Sequence, residues 1–121
     1  FRARTGRLKD RTKKGSAAAS SVVTAVEMGA EFGSVATLLQ FSSAFCAPCR
    51  TTKVLLGEVA KEHPGVVHVV LDAESQLDLV RRLKIISTPT TLILDSNGVE
   101  VGRAVGAPRR EQVAAALHAL R

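Results

Sequence analysis

The apolar positions of the chain follow two different periodicities. Continuous apolar runs at residues 35–41 and 66–71 predict two buried strands. Residues 51–62, between them, repeat apolar positions at helical spacing. The buried stripe of this helix is predicted to contain Val54, Leu55, Val59 and Ala60. A further helix is predicted at residues 75–83, with burial of Leu77, Leu79, Val80 and Leu83.

Polar and glycine-containing segments indicate where other elements begin and turn. Thr24 and Glu27 form a capping-box pattern, which predicts a short helix that ends near Gly33. Two β-capable segments, residues 90–94 and 99–105, are separated by Asp-Ser-Asn-Gly, a strong signal for a hairpin.

A last helix is predicted to begin at Pro108, because proline suits the first turn of a helix. Its buried stripe would contain Val113, Ala116, Leu117 and Leu120. The predicted order is therefore helix, strand, helix, strand, helix, strand, strand, helix. Parallel strands joined by a helix and followed by a hairpin imply an α/β fold, a mixed sheet with helices on both faces.

Charge divides the chain of 121 residues into two regions. The net charge is +6, and residues 1–14 account for all of it, with seven basic residues against Asp10. We therefore predict a basic arm and small-residue linker at residues 1–23 and a folded domain at residues 24–121. The aromatic residues are four Phe, which offer little for stacking on bases, so nucleic acid is not an expected partner.

The chain has two cysteines, Cys46 and Cys49, placed between a predicted strand and a predicted helix. A disulfide between them would close too small a loop to stabilise the fold much. Zinc is the alternative, but two thiolates do not complete a tetrahedral site and no histidine lies at motif spacing, so no metal is expected. The free N–H groups of a helix N-terminus would lower the pKa of Cys46, and Pro48 would stiffen that turn. This arrangement indicates a reversible dithiol switch.

Three segments resemble the thioredoxin family. They are Phe-Ser-Ser-Ala-Phe-Cys-Ala-Pro-Cys-Arg at residues 41–50, Ser-Thr-Pro-Thr at residues 87–90, and Val-Gly-Ala at residues 105–107. The resemblance covers about residues 35–120 and implies a three-layer thioredoxin-like sandwich, with a central mixed sheet flanked by helices. It also implies a cis Thr88–Pro89 bond, with an ordinary trans proline as the alternative.

The resemblance further implies a thiol–disulfide oxidoreductase that reduces protein disulfides. Cys46 and Cys49 would be catalytic, and their own disulfide would be the redox group, with no cofactor. The implied substrate-binding residues are Phe45, Ala47, Pro48, Thr88, Pro89, Gly106 and Ala107. The expected electron donor is a thioredoxin reductase or a membrane thiol carrier, and the expected state is a monomer.

Five positions depart from the family pattern. The family has a buried Asp at Gln40, its lysine partner at Val70, a proline at Val54, a tryptophan at Phe45 and a glycine at Ala47. An amide cannot take up a proton, so Gln40 at this proton-handling position predicts slower turnover near neutral pH. The alternative is that Gln40 points to solvent. The histidines are predicted to be surface or turn residues.

The basic residues 1–14 are consistent with contact with an anionic membrane, or with the flank of a membrane helix that precedes Phe1. We therefore expect a bacterial, membrane-associated domain that faces the cytoplasm, with an extracytoplasmic location and a merely solvated tail as alternatives. Two other functions stay open: an extracytoplasmic thiol reductase of the cytochrome c maturation type, and a thioredoxin-fold binding adaptor with vestigial cysteines.

Overall fold

The computed structural model describes residues 22–120, so the basic arm at residues 1–14 lies outside the described part. The helices are α1 (Ala25–Met28), α2 (Ala47–Glu62), α3 (Leu77–Leu83) and α4 (Arg110–His118). The strands are β1 (Ala36–Ser42), β2 (Val66–Asp72), β3 (Thr90–Asp95) and β4 (Glu100–Val105). A 3-10 turn at Ala73–Ser75 precedes α3.

The described strands form one mixed sheet in the order β2-β1-β3-β4. β1 pairs parallel with β2 and antiparallel with β3, and β3 and β4 form the predicted hairpin. The Asp95 carboxylate accepts from the N–H groups of Asn97 and Val99, while Gly98 takes the positive φ of 86° that the turn requires. The α/β class and the mixed sheet are therefore confirmed.

Side chains alternate along β1 and divide the interior into two cores. Leu39 and Phe41 face one side of the sheet, where they pack in a cluster with Met28 of α1 and with Leu79 and Leu83 of α3. Ala36 and Leu38 face the other side, where the cluster contains residues of α2 and α4: Leu56, Val59, Val113 and Leu117. Because side chains repeat every two residues in a strand, Gln40 lies on the α2 side with Leu38.

The buried stripe of α2 differs from the predicted one. Its buried residues are Cys49, Thr52, Leu56 and Val59, whereas Val54 is 62% exposed. The helix begins at Ala47, and the stripe that runs from Cys49 at helical spacing turns Val54 away from the sheet. Leu77 was also predicted to be buried and is exposed, since it opens α3 on the outer side of the first turn.

Element boundaries and the burial of β2 also differ from the prediction. The capping box of Thr24 and Glu27 is present, but α1 ends at Met28, because Gly29 adopts a left-handed conformation and caps it. Pro108 precedes the cap residue of α4 instead of opening the helix. β2 was predicted to be buried, yet in the described sheet it lies at one edge, and only Val66 and Leu71 of this strand are buried.

The packed part of the chain includes two residues before the capping box. Val22 forms an isolated antiparallel bridge with Val99, and the buried Val23 donates its N–H to the carbonyl of Gly98. Both contacts tie the chain that leads into α1 to the β3–β4 hairpin.

Candidate active site

Cys46 is the N-cap residue of α2, the position at which a helix has free N–H groups. The N–H of Cys49 points at the Cys46 sulfur, with 3.2 Å between nitrogen and Sγ. Ala47 and Pro48 follow as the first two helical residues, so Pro48 loses no helical hydrogen bond. The sulfur of Cys46 therefore lies where a negative charge is stabilised by helix N–H groups and by the dipole.

Cys46 and Cys49 form a disulfide, with 5.2 Å between their Cα atoms. The two sulfurs lie in different surroundings. Cys49 is 4% exposed and faces the sheet, while Cys46 is half-buried at the surface. A substrate can therefore reach Cys46 more readily than Cys49.

The loop before β3 lies against this disulfide. The Thr88–Pro89 peptide bond is cis, as predicted from the resemblance. The hydroxyl groups of Thr88 and Ser43 are 2.8 Å apart, and the Thr88 hydroxyl points at the Cys46 sulfur from 4.0 Å. The N–H of Gly106 donates to the Pro89 carbonyl at 2.8 Å, which joins the loop after β4 to the same place.

Phe45 is fully exposed, directly before Cys46, and its φ of 58° lies in a region that non-glycine residues rarely adopt. Ala47, Pro48 and Ala107 are also exposed. We use the term outer part of the site for the exposed segment and the loop beside it: Phe45, Cys46, Ala47, Pro48, Thr88, Pro89 and Gly106. The outer part contains all of the substrate-binding residues implied by the sequence except Ala107. Ala107 is connected to the site only by its position directly after Gly106.

Gln40 lies beneath the disulfide, with no exposed surface. Its Nε2 donates to the Cys49 carbonyl at 3.0 Å and to the Ser42 hydroxyl at 2.9 Å. Its Oε1 lies 2.9 Å from Nε2 of His68. The alternative in which Gln40 points to solvent is therefore wrong. We use the term inner part of the site for these four residues: Gln40, Ser42, Cys49 and His68.

His68 is a site residue that the sequence analysis missed. It was predicted to be a surface or turn residue, yet its ring is half-buried between β1 and α2. Burial lowers the pKa of His68 below its ordinary value of 6.5, and the positive charge of Lys53 lowers it further. The available signal was its place two residues before Val70 in β2, which puts it on the same face as Gln40.

Two threonines add polar groups to the same layer. Thr91 lies opposite Gln40 in the antiparallel pair, and Thr52 follows Cys49 by one turn of α2. Both hydroxyl groups are buried, and within residues 22–120 neither has a hydrogen-bond partner. The same residues contain no cluster of three or more His, Cys, Asp or Glu side chains able to hold a metal ion.

Comparison with known proteins identifies the family. The family model for thioredoxin matches residues 23–119. The chain belongs to the thioredoxin family. Members of this family use their own active-site disulfide as the redox group, and the Cys46–Cys49 bond provides one here. The disulfide lies at the N-terminus of a helix and beside a cis-proline.

Individual thioredoxins show the extent of the similarity. The chain is 32% identical over 81 residues to thioredoxin H5 of Oryza sativa subsp. japonica, which covers 67% of this chain and 58% of that protein. It is 36% identical over 67 residues to a thioredoxin of Echinococcus granulosus, covering 55% and 62% of the two chains. The chain thus spans less than two thirds of the length of these curated relatives.

Solved thioredoxin structures share the fold. Thioredoxin F from spinach chloroplast superposes with a TM-score of 0.63 at 29% identity, covering 74% of this chain and 73% of that one. A thioredoxin of Nicotiana alata superposes with a TM-score of 0.64 at 23% identity, covering 73% and 75%. The thioredoxin-like sandwich that the sequence implied is therefore confirmed.

Proposed function

We propose that this thioredoxin-family chain is a thiol–disulfide oxidoreductase that reduces protein disulfides. The observation that supports it most is the unequal pair of sulfurs at the start of α2. Cys46 is accessible and lies at the helix N-terminus, and Cys49 is buried within bonding distance of it. A dithiol with one accessible and one buried cysteine suits a reaction in two steps.

In the first step the Cys46 thiolate attacks one sulfur of a substrate disulfide. A mixed disulfide forms between Cys46 and that sulfur, and the other substrate sulfur leaves as a thiolate. Cys49 then loses its proton, and its thiolate attacks the Cys46 sulfur. The second substrate sulfur leaves, the Cys46–Cys49 disulfide forms, and two electrons have passed to the substrate.

The outer part of the site suits a polypeptide substrate. Phe45 exposes its whole ring beside Cys46, and Ile86, two residues before Thr88, is 90% exposed. Exposed large apolar side chains next to a reactive group are typical of surfaces that bind other proteins. The loop with the cis bond offers backbone groups of Thr88 beside the Cys46 sulfur, where an extended substrate segment could pair.

Reduction of insulin tests the proposal, with either dithiothreitol or a thioredoxin reductase and NADPH as the electron source. We expect the chain to accelerate insulin precipitation, Cys46→Ser to abolish the acceleration, and Cys49→Ser to accumulate a mixed disulfide visible by mass spectrometry. The two variants differ because only Cys46 is needed for the first attack. Wild-type protein that leaves insulin oxidised with both electron sources would contradict the reductase function and favour a binding adaptor.

The reductant in the cell is either a thioredoxin reductase or a membrane thiol carrier, in line with the two compartments proposed for the chain. The NADPH-coupled assay separates these donors, since a thioredoxin reductase supports turnover only if it recognises this chain. We propose that the substrate-reducing unit is a monomer, since a single chain already contains both thiols and the hydrogen-bonded groups around them.

We further propose that the basic residues 1–14 bind an anionic membrane surface and hold a bacterial domain at the cytoplasmic side. Their seven basic side chains support it, at about 1 kcal/mol for each one near such a surface. Residues 22–120 contain no helix with the length and apolar character that a membrane span needs. The relatives named above come from a plant and a flatworm, so the bacterial source stays a prediction.

Sedimentation with vesicles tests the membrane proposal. We expect binding to vesicles that contain phosphatidylserine, no binding to neutral phosphatidylcholine vesicles, and loss of binding in high salt. Removal of residues 1–14 should abolish the binding, while substitution of an equal number of exposed charges in the domain should leave it unchanged. Equal binding to both kinds of vesicle would exclude electrostatic attachment.

A further inference from the structure

A chain of hydrogen bonds connects Cys49 to His68 through the Gln40 amide. The Cys49 carbonyl can only accept a hydrogen bond, so the Gln40 atom that faces it at 3.0 Å must be the nitrogen. This contact fixes which way the amide points. The other end, Oε1, therefore faces His68 and can only accept.

The orientation of the amide determines the tautomer of His68. Because Gln40 Oε1 needs a donor, the Nε2 atom of His68 must carry a hydrogen, and in the neutral ring Nδ1 is then free of one. α2 passes the Nδ1 side of the ring at Gly57, where a Cβ atom would lie 3.9 Å from Nδ1. A neutral His68 can thus take up a proton at Nδ1 without giving up its bond to Gln40.

The register of β2 explains why His68 can reach Gln40. Val70 lies directly opposite Gln40 in the parallel pair and has no polar group, so it makes no hydrogen bond to the amide. His68, two residues earlier on the same face of β2, reaches the amide diagonally. The inner part has four residues. Apart from the reacting thiol of Cys49, His68 is the one whose side chain ordinarily titrates near neutral pH.

We propose that His68 is a positioning residue for Cys49, which it acts on through Gln40, and that its protonation shapes the rate of the Cys49 step on the acid side of neutrality. The proposal rests on the proposed dithiol reaction and deepens it. It assigns a second role to the position of Gln40: the amide takes no proton itself but transmits the effect of a titrating ring.

The charges around His68 determine how its protonation changes the rate of the Cys49 step. Lys53 of α2 acts on the ring, Arg50 and Lys61 lie further along the same stripe of α2, and β1 has no ionisable side chain. Burial and then Lys53 lower the pKa of His68, so the ring is neutral at pH 7 and becomes charged only in acid. A charged ring favours the thiolate of Cys49. As the pH falls, the second step should therefore slow less in the wild type than in a variant that lacks the His68 ring.

The reaction of the reduced chain with 5,5′-dithiobis(2-nitrobenzoate) measures the two steps separately. The attack of Cys46 releases one coloured aromatic thiolate, and closure of the disulfide by Cys49 releases the second. Three variants are compared with the wild type between about pH 5 and pH 8. His68→Gln keeps a donor for Gln40 but cannot titrate, His68→Leu has no donor, and His118→Gln changes an exposed histidine of α4 as the control.

We expect the first phase to be alike in all four proteins. For His68→Gln, the second phase should match the wild type near pH 8 and be about threefold slower at the acid end of the range, where the charge of the ring is missing. For His68→Leu, the second phase should be slower than in the wild type at every pH. A second-phase profile of His68→Gln that superimposes on the wild type at every pH would overturn the proposal, even if His68→Leu is slower.

Nitrogen NMR of the His68 ring tests the same assignment without any substrate, and it needs only the wild-type protein. An Nε2–H tautomer in the neutral ring supports the proposal. An Nδ1–H tautomer overturns it. Failure of the reductase function would appear elsewhere, as insulin that stays oxidised although these ring signals behave as expected.

Discussion

The outer and inner parts of the site lie on either side of one disulfide and are built in different ways. In the outer part, Phe45, Cys46, Ala47 and Pro48 are consecutive and mostly exposed, and a second loop adds Thr88. In the inner part, hydrogen bonds join residues from β1, α2 and β2, and Gln40 and Cys49 are buried. The comparison separates two proposed roles: the outer part would select the disulfides that are attacked, and the inner part would control the proton of the second cysteine.

The largest expected effect comes from a buried ion pair that supports the outer part. Glu100 has no exposed surface and accepts two hydrogen bonds from Arg103, at 2.8 and 3.0 Å. Arg103 also donates to the carbonyls of Leu83 and Lys84, where the chain leaves α3 toward Thr88. Glu100→Gln should lower the free energy of unfolding by about 2–4 kcal/mol, because it leaves the Arg103 charge without a counter-ion. Urea denaturation measures the loss.

An exposed ion-pair group provides the control for this prediction. Arg110 bonds to Glu58 and Glu62 at 2.7 and 3.0 Å, and all three side chains are largely solvated. Arg110→Gln breaks both pairs and should cost below about 1 kcal/mol, since water already screens these charges. An equal loss in the two variants would show that burial does not distinguish them.

The second prediction concerns the inner part. Gln40→Asp places a carboxylate beneath Cys49, and Gln40→Asn has the same length without the charge. At neutral pH the Asp variant should close its disulfide about tenfold faster than the Asn variant, a factor below the range for well-placed general bases because the side chain is one methylene shorter. The second phase of the reaction with 5,5′-dithiobis(2-nitrobenzoate) measures the rate of disulfide closure in both variants. Identical pH–rate profiles would show that the charge at this position does not control the step.

The third prediction returns to the outer part and is smaller. Thr88→Val keeps the shape of the side chain but removes the hydroxyl that lies 4.0 Å from the Cys46 sulfur. Alkylation of Cys46 in the reduced protein should slow about twofold to threefold, because a weak hydrogen bond to the thiolate is lost. Ser43→Ala removes the neighbouring hydroxyl, which contacts the Thr88 hydroxyl, and should change the rate less. Faster alkylation in the Val variant would contradict this role of Thr88.

The sequence was sufficient to predict the outer part because each of its segments is short and continuous along the chain, and the family resemblance brought the separate segments together. The Cys-Ala-Pro-Cys segment, the helix after it and the Thr88–Pro89 bond were all expected, and α2 and the cis bond are present. Local rules of helix capping and of strand periodicity operate within a few residues, so they can be applied to one sequence alone. The roles of Phe45, Ala47, Pro48, Gly106 and Ala107 in substrate binding stay predictions.

The inner part required the register between strands, which the sequence did not provide. Gln40 was identified through the family resemblance, but its partner His68 lies 28 residues away and meets it only because β1 and β2 pair as they do. The same limitation explains Val54, which fits an apolar stripe but faces away from the sheet. A sequence pattern can predict that a strand or helix forms without predicting how that element is rotated about its axis. The rotation decides which side chains meet.

The smallest expected effect is a dependence of stability on pH. It again separates the inner part of the site from the outer part, because the titrating ring belongs to the inner part. The pKa of His68 is lowered in the fold, so on the acid side of 6.5 the unfolded chain binds more protons than the folded one. The stability from the neutral ring is complete above 6.5 and is lost as the pH falls through the folded value. Unfolding in urea at several pH values should show this decline in the wild type and not in His68→Gln.

A second acid-dependent loss should follow at lower pH, far from the disulfide. A hydrogen bond from the Thr24 backbone and the charge of Arg82 lower the pKa of Glu27 below its ordinary value of 4.5. This stability is present above 4.5 and is lost as the pH falls through the folded value. It should persist in His68→Gln and disappear in Glu27→Gln. If Glu27→Gln instead removes the decline near neutrality, the titrating group lies in the α1 cap and not in the inner part.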